Sequence, residues 1–140
     1  RKSLDLHFSQ ERKRILLADD SKDSQLLIEA YFKSLPWTLD IAENGSDVMK
    51  RLEHNHYDLI LLDLNMPIMS GAETAQAIRQ LNFSPDLRPK VVALTGAEMP
   101  AGYFVDNGFD GHLLKPISKS SLVSYLQRLL EKKARTIPPP

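Results

Sequence analysis

The stretch Asp58-Leu59-Ile60-Leu61-Leu62-Asp63 places four consecutive apolar residues between two carboxylates. A run this short with no polar position has no solvent face, so it reads as a strand covered on both sides. Strands of that kind belong to parallel sheets whose crossovers are helices. Working outward, Ile15-Leu16-Leu17-Ala18 and Lys90-Val91-Val92-Ala93-Leu94 repeat the pattern, and Thr38 to Ala42 and Gly111-His112-Leu113-Leu114 are weaker versions of it. Periodic segments lie between them. Ser21 is a good N-cap for a helix with Leu27, Ala30, Tyr31 and Leu35 on one side, ended by Pro36. Asn44-Gly45 opens a helix to about Asn55 that carries Val48, Met49 and Leu52. After a loop from Leu64 to Gly71, a third helix is predicted from about Ala72 to Leu81, and Thr95-Gly96 opens a weak helical region up to Gly108. The last helix is the clearest, with Leu122, Tyr125, Leu126, Leu129 and Leu130 at helical spacing behind Ser118. Five βα units predict a doubly wound α/β fold with helices on both faces.

At 140 residues the chain has the length of about one such domain. Hydrophobic residues are 42% and charged residues 26%, which is globular composition and excludes bulk disorder or a coiled coil. There is no cysteine, so a disulfide scaffold, a thiolate metal site and a cysteine nucleophile are excluded together. The net charge of zero conceals a pattern. Residues 1–14 hold five basic and two acidic side chains, residues 128–140 hold four and one, and the central 113 residues hold nine and fifteen. An acidic centre with basic ends is a poor surface for nucleic-acid phosphates, so direct nucleic-acid binding is not expected. No apolar run approaches the ~20 residues of a membrane helix, and no membrane insertion is expected. Residues 1–13 read as a linker or N-terminal extension and residues 135–140, with three closing prolines, as a tail, which leaves 14–134 for the folded domain.

In an open parallel sheet, ligands bind beyond the carboxyl ends of the strands. The first strand delivers Asp19 and Asp20 there, the third Asp63, the fourth Thr95 and the fifth Lys115. Each alone has a plain structural explanation, such as a helix N-terminus, a cap or a solvated charge. Their coincidence at one rim does not. Three carboxylates brought together repel by on the order of a few kcal/mol per close pair, and Lys115 supplies only one compensating charge. A hard divalent cation with oxygen ligands, Mg²⁺, suits the remainder, whereas the scattered His7, His54, His56 and His112 offer no zinc set.

Asp19-Asp20, Asp63-Leu64-Asn65-Met66-Pro67, Thr95 and Lys115-Pro116, each after its strand, resemble the receiver domain of two-component response regulators, over about residues 14–132. The resemblance implies a flavodoxin-like, chemotaxis-regulator-like five-stranded sheet in the order 2-1-3-4-5. It also implies phosphoryl transfer in a phosphorelay: Asp63 accepts the group from a phosphohistidine on a histidine kinase or histidine phosphotransfer protein. Asp20, Asp63 and the backbone carbonyl of Asn65 hold Mg²⁺, with Asp19 acting largely through water. Lys115 and Thr95 contact the phosphoryl oxygens, Gly96 leaves room for entry, and Pro116 follows a cis peptide. The domain is then a cytoplasmic signalling phosphoprotein rather than an enzyme, catalysing only its own phosphorylation and dephosphorylation.

The pattern departs from the family at two points. His112 stands where a switch Tyr or Phe is usual, three residues before the lysine. The segment from Thr95 to Lys115 is a couple of residues short and contains Pro100 and Gly102, so its helix is predicted to be short or displaced. The segment around Val92 to Thr95 and the basic stretch before Ile15 are more similar to receivers fused to hybrid histidine kinases. Two other readings stay open. A haloacid-dehalogenase-like aspartyl phosphatase would want a second acid two residues after its nucleophile, where this chain has Asn65, and a non-phosphorylated interaction module would not need the full acceptor set.

Overall fold

The computed structural model describes residues 12–130, so most of the expected N-terminal extension and the whole expected tail lie outside it. Five strands, β1 (Arg14–Ala18), β2 (Thr38–Ala42), β3 (Leu59–Asp63), β4 (Lys90–Thr95) and β5 (Gly111–Leu114), pair in parallel in the order β2-β1-β3-β4-β5, as the family resemblance implied. Helices α1 (Lys22–Phe32), α2 (Gly45–Leu52), α3 (Gly71–Arg79), α4 (Tyr103–Asp106) and α5 (Lys119–Leu130) connect and cover them. A 3₁₀ turn at Pro85–Leu87 was not foreseen. Among the described residues no helix is long and apolar enough to cross a membrane.

The central strands are buried on both faces, which is why their sequences show no alternation of polarity. Ile15, Leu17, Leu59, Leu61, Val92 and Leu94 face one core with Ile28 and Phe32 of α1 and Leu122 and Leu126 of α5. Leu16, Ala18, Ile60, Leu62, Val91 and Ala93 face the other with Val48 of α2 and Ala75 and Ile78 of α3. Each buried Leu, Ile, Val or Phe side chain contributes roughly 1.5–3 kcal/mol relative to an exposed one, so the sheet is the rigid part of the molecule.

One helix differs from the sequence reading. The buried face of α1 runs through Gln25, Ile28 and Phe32, with Tyr31 and Leu35 beside it, while Leu27 and Ala30 are exposed. Apolar residues surround this helix almost completely, so periodicity does not select one stripe; a polar side chain, Gln25, marks the face instead. Helix α4 is a single turn, Tyr103–Asp106, in accord with the shortened segment. Caps follow local chemistry elsewhere. Asn44 accepts from Asp47 N at the start of α2, and Ser70 with Glu73 forms a capping box at the start of α3.

Candidate phosphoacceptor and metal site

Strand β1 lies between β2 and β3, so the chain passes from β1 to β2 on one side and then crosses back over β1 to β3 on the other. That reversal opens a crevice at the carboxyl ends of β1 and β3. Ala18 pairs with Leu62, which brings the next residues, Asp19 and Asp63, level across it. Asp63 pairs with Leu94, and Thr95 pairs with Leu114, which puts Lys115 just beyond. Strand register alone thus gathers Asp19, Asp63, Thr95 and Lys115, and Asp20 follows on the first loop.

Asp19 is fully buried, Asp63 is 7% exposed and Asp20 is exposed. Oxygens of the three carboxylates lie within 4.8 Å of one another. Lys115 Nζ approaches Asp19 Oδ2 at 3.3 Å and Asp63 Oδ1 at 3.6 Å, bridging the buried pair. Asp19 Oδ1 accepts from Ser21 N at 2.9 Å and Asp63 Oδ1 from Asn65 N at 3.3 Å. Burial pushes the Asp63 carboxyl above its ordinary 3.8; Lys115 opposes that shift, Asp19 and Asp20 reinforce it, and the Asn65 N–H opposes it. One ammonium against three carboxylates leaves negative charge in a partly desolvated crevice. The set is all oxygen, which suits a hard cation such as Mg²⁺ and does not suit zinc.

Thr95 is 4% exposed and stands at the rim, but its hydroxyl is turned into its own loop, donating to the Ala97 carbonyl at 2.9 Å and accepting from Ala97 N at 3.2 Å. A Cβ at Gly96 would meet nothing within 4 Å, so the entrance is open there and packing does not require the glycine. The Lys115–Pro116 peptide is cis. His112 is exposed, its ring stacked on Phe104 with centroids 4.0 Å apart and planes 7° from parallel. Its main-chain N–H donates to the Tyr125 hydroxyl at 3.1 Å. Phe104 was invisible as its partner because α4 has too few residues for a period. His54 and His56 are exposed, as expected, and His7 lies outside the described residues.

Two residues at the site were missed by sequence reading. Gln25 Nε2 donates to the Asp19 carbonyl at 2.7 Å, and Tyr31 Oη donates to the Ile117 carbonyl at 2.7 Å. A polar residue at the centre of the face of α1 was the available signal for the first. A third feature is Ile68, 80% exposed in the loop that leaves Asp63, with φ of 70° and Met69 N donating to Pro67 O at 2.6 Å. A β-branched residue in a γ-turn of this sign is strained by roughly 1–3 kcal/mol.

The family model for the response regulator receiver domain matches residues 15–127. The transcriptional regulatory protein ResD of Bacillus subtilis is 34% identical over 126 residues, which are 88% of this chain and 50% of that protein. Hybrid signal transduction histidine kinase A of Dictyostelium discoideum is 28% identical over 123 residues, 84% of this chain and 6% of that one. The chain therefore spans half or less of the length of these relatives. Among solved structures, the receiver domain of sensor histidine kinase PA1611 from Pseudomonas aeruginosa, with a magnesium ion in its active site cleft, superposes with a TM-score of 0.75 at 26% identity, covering 86% of this chain and 98% of that one. Chemotaxis protein CheY4 of Vibrio cholerae shares the fold with a TM-score of 0.76 at 24% identity, covering 86% and 100%.

Proposed function

The chain belongs to the response regulator receiver family, and from that premise we propose that Asp63 accepts a phosphoryl group from a phosphohistidine on a histidine kinase or histidine phosphotransfer protein, in the cytoplasm. The observation that carries this reading is the crevice where Asp63, held by Asn65 N and facing Lys115 at 3.6 Å, meets Asp19 and Asp20. An Asp63 carboxylate oxygen would bond to phosphorus as the phosphorus–nitrogen bond of the donor breaks, the imidazole nitrogen keeping the electron pair. Lys115 would meet charge on the equatorial oxygens, where such catalysis mostly resides. Asp20, Asp63 and the Asn65 carbonyl would hold Mg²⁺, with Asp19 acting through water, and the cation would neutralise the same oxygens. The chain would supply only its own phosphorylation and dephosphorylation, with no separate substrate turned over.

For Thr95 to donate to the phosphoryl group it must release Ala97, a net cost of about 1 kcal/mol. His112 would respond through its stack on Phe104, which couples β5 to the single turn of α4. Leu26 and Leu27, 63% and 45% exposed on α1, and the strained, exposed Ile68 in the loop after Asp63 would offer apolar surface to the donor protein. Similarity to a hybrid kinase and to a transcriptional regulator leaves either setting for the full chain; the hybrid-kinase setting is favoured by the same segments that suggested it in the sequence. The phosphatase reading needs a second acid at Asn65, whose side chain can neither give nor take the required proton.

Incubation with acetyl phosphate and Mg²⁺ is expected to add roughly 80 Da, one phosphoryl group, by intact mass spectrometry. No gain, or a gain undiminished by chelation of Mg²⁺, would defeat the reading. The raised Asp63 value gives the reaction a pH dependence of known sign. Folding disfavours the ionised carboxyl, so its penalty on stability is fully present above the raised value and is relieved as pH falls from there toward 3.8. Over that window metal-free protein should gain stability relative to an Asp63→Asn control while Mg²⁺ affinity falls. Thermal melts at several pH values with and without Mg²⁺ measure both; a parent curve parallel to the control at every pH would show that Asp63 is not perturbed.

A further inference from the structure

Helix α1 lies against both halves of the site, and its buried side carries two polar groups that bond to loops rather than to the helix. Gln25, 7% exposed, donates from Nε2 to the main-chain carbonyl of Asp19 at 2.7 Å, on the loop leaving β1. Tyr31 donates from its hydroxyl to the carbonyl of Ile117 at 2.7 Å, on the loop leaving β5, two residues after Lys115. Lys115 in turn must stay 3.3 Å from Asp19 and 3.6 Å from Asp63 to bridge them. Between α1 and the β5–α5 loop lies a cleft of about 350 Å³, lined by Asp19, Leu27, Ile28, Lys115, Pro116 and Ile117. Side chains do not fill this gap, so the Tyr31 hydrogen bond to Ile117, a lining residue, supports the loop beside it. Lys119 Nζ of α5 donating to Ser34 Oγ at 2.6 Å, two residues past the end of α1, is a further, exposed link.

We propose that Gln25 and Tyr31 are positioning residues, with α1 acting as a strut that fixes the distance between the acidic loop and the Lys115 loop. Gln25 sets the cation side of the site and Tyr31 the Lys115 side. This rests on the phosphoacceptor reading above. The physical argument is one of tolerance: partners that orient a metal-binding group are worth about 10–100-fold in metal affinity or activity, and a misplacement of roughly 1 Å can cost about 100-fold in rate. Because the two bonds end on different loops, their loss should separate into different measured quantities.

Gln25→Met keeps length and burial but removes the donor. It is expected to weaken Mg²⁺ binding about tenfold in a titration followed by amide NMR shifts without any phosphodonor. Saturating Mg²⁺ should then restore most of the rate with acetyl phosphate. Tyr31→Phe removes one oxygen atom; it should leave Mg²⁺ affinity within about twofold of the parent and lower the rate at saturating Mg²⁺ about tenfold. Melting curves in Mg²⁺-free buffer record any general loss of stability, and Tyr31→Phe carries the test by itself should Gln25→Met not fold. Two variants equal to the parent in affinity and rate, or two that lose both in step with melting temperature, would overturn the strut. A parent that takes no phosphoryl group would defeat the phosphoacceptor reading instead, and the Mg²⁺ titration would still report on Gln25.

Discussion

Asp63→Asn is expected to lose the whole mass gain of roughly 80 Da with acetyl phosphate, while folding at least as stably as the parent in Mg²⁺-free buffer. The first half follows from position. Asp63 is the last residue of the fully buried strand β3 and carries the one carboxylate of the cluster that Lys115 and the Asn65 N–H both approach. Asp19 is fully buried and already committed to Ser21 N and Lys115, and exposed Asp20 has no ammonium within salt-bridge distance among the described residues, so neither is placed to take over. The second half follows from charge. An amide removes one of three crowded carboxylates, the one that burial already holds above its ordinary range, and leaves Lys115 its bond to Asp19. A gain of about 1 kcal/mol, a few degrees in melting temperature for a domain of this size, is the expected scale. A variant still labelled at the parent's rate would move the acceptor elsewhere, whereas one that is unlabelled but much less stable would mean the carboxylate supports the fold.

What the sequence disclosed, and what it withheld, divides along a physical line. Strands β1, β3 and β4 were legible because burial on both faces forces continuous apolar runs, and the rim residues were legible because a parallel sheet delivers the residue after each strand to one end. Asp63 and Thr95 fall inside the ends of β3 and β4, and Asp19, Asp20 and Lys115 follow their strands, as that rule requires. Strand order came from family resemblance, since periodicity is blind to which strand neighbours which. The face of α1 was misread because Leu26, Leu27, Ile28, Ala30, Tyr31 and Phe32 give it apolar residues nearly all round, and tertiary contacts chose among them. The inward supports, Gln25 to Asp19 and Tyr31 to Ile117, join residues 6 and 86 positions apart. Nothing local announces the longer of these bonds. The same holds for Phe104 under His112, and for Thr95, whose hydroxyl could be placed at the rim from sequence but not seen to bond Ala97.

Gly71→Val is expected to be the most damaging single substitution near the site, costing about 3 kcal/mol of stability and slowing phosphorylation as well. Gly71 begins α3 and returns its N–H to the Leu64 carbonyl at 3.1 Å, closing the loop that leaves the acceptor strand. A Cβ built there lies 2.5 Å from the Asp63 carbonyl oxygen and 2.8 Å from Leu64 Cα. Both are backbone atoms, so no side-chain rotation can relieve the clash; either α3 or the end of β3 must move. The helix is fixed by its capping box at Ser70 and by Ala75 and Ile78 in the core, and β3 is paired on both sides, so neither yields cheaply. Whichever moves, the Asp63 main chain is displaced relative to Asp19 and Lys115, and a shift of a few tenths of an ångström is comparable to the difference between the 3.3 and 3.6 Å contacts that Lys115 makes. Gly96→Ala is the matched control, because its Cβ would enter open space and its stability should stay within about 0.5 kcal/mol of the parent. Urea unfolding of the two variants, read beside their mass gain with acetyl phosphate, tests the argument. Equal stabilities for Gly71→Val and Gly96→Ala would mean that the close approach of α3 to Asp63 is not rigid and that the acceptor owes its position to the sheet alone.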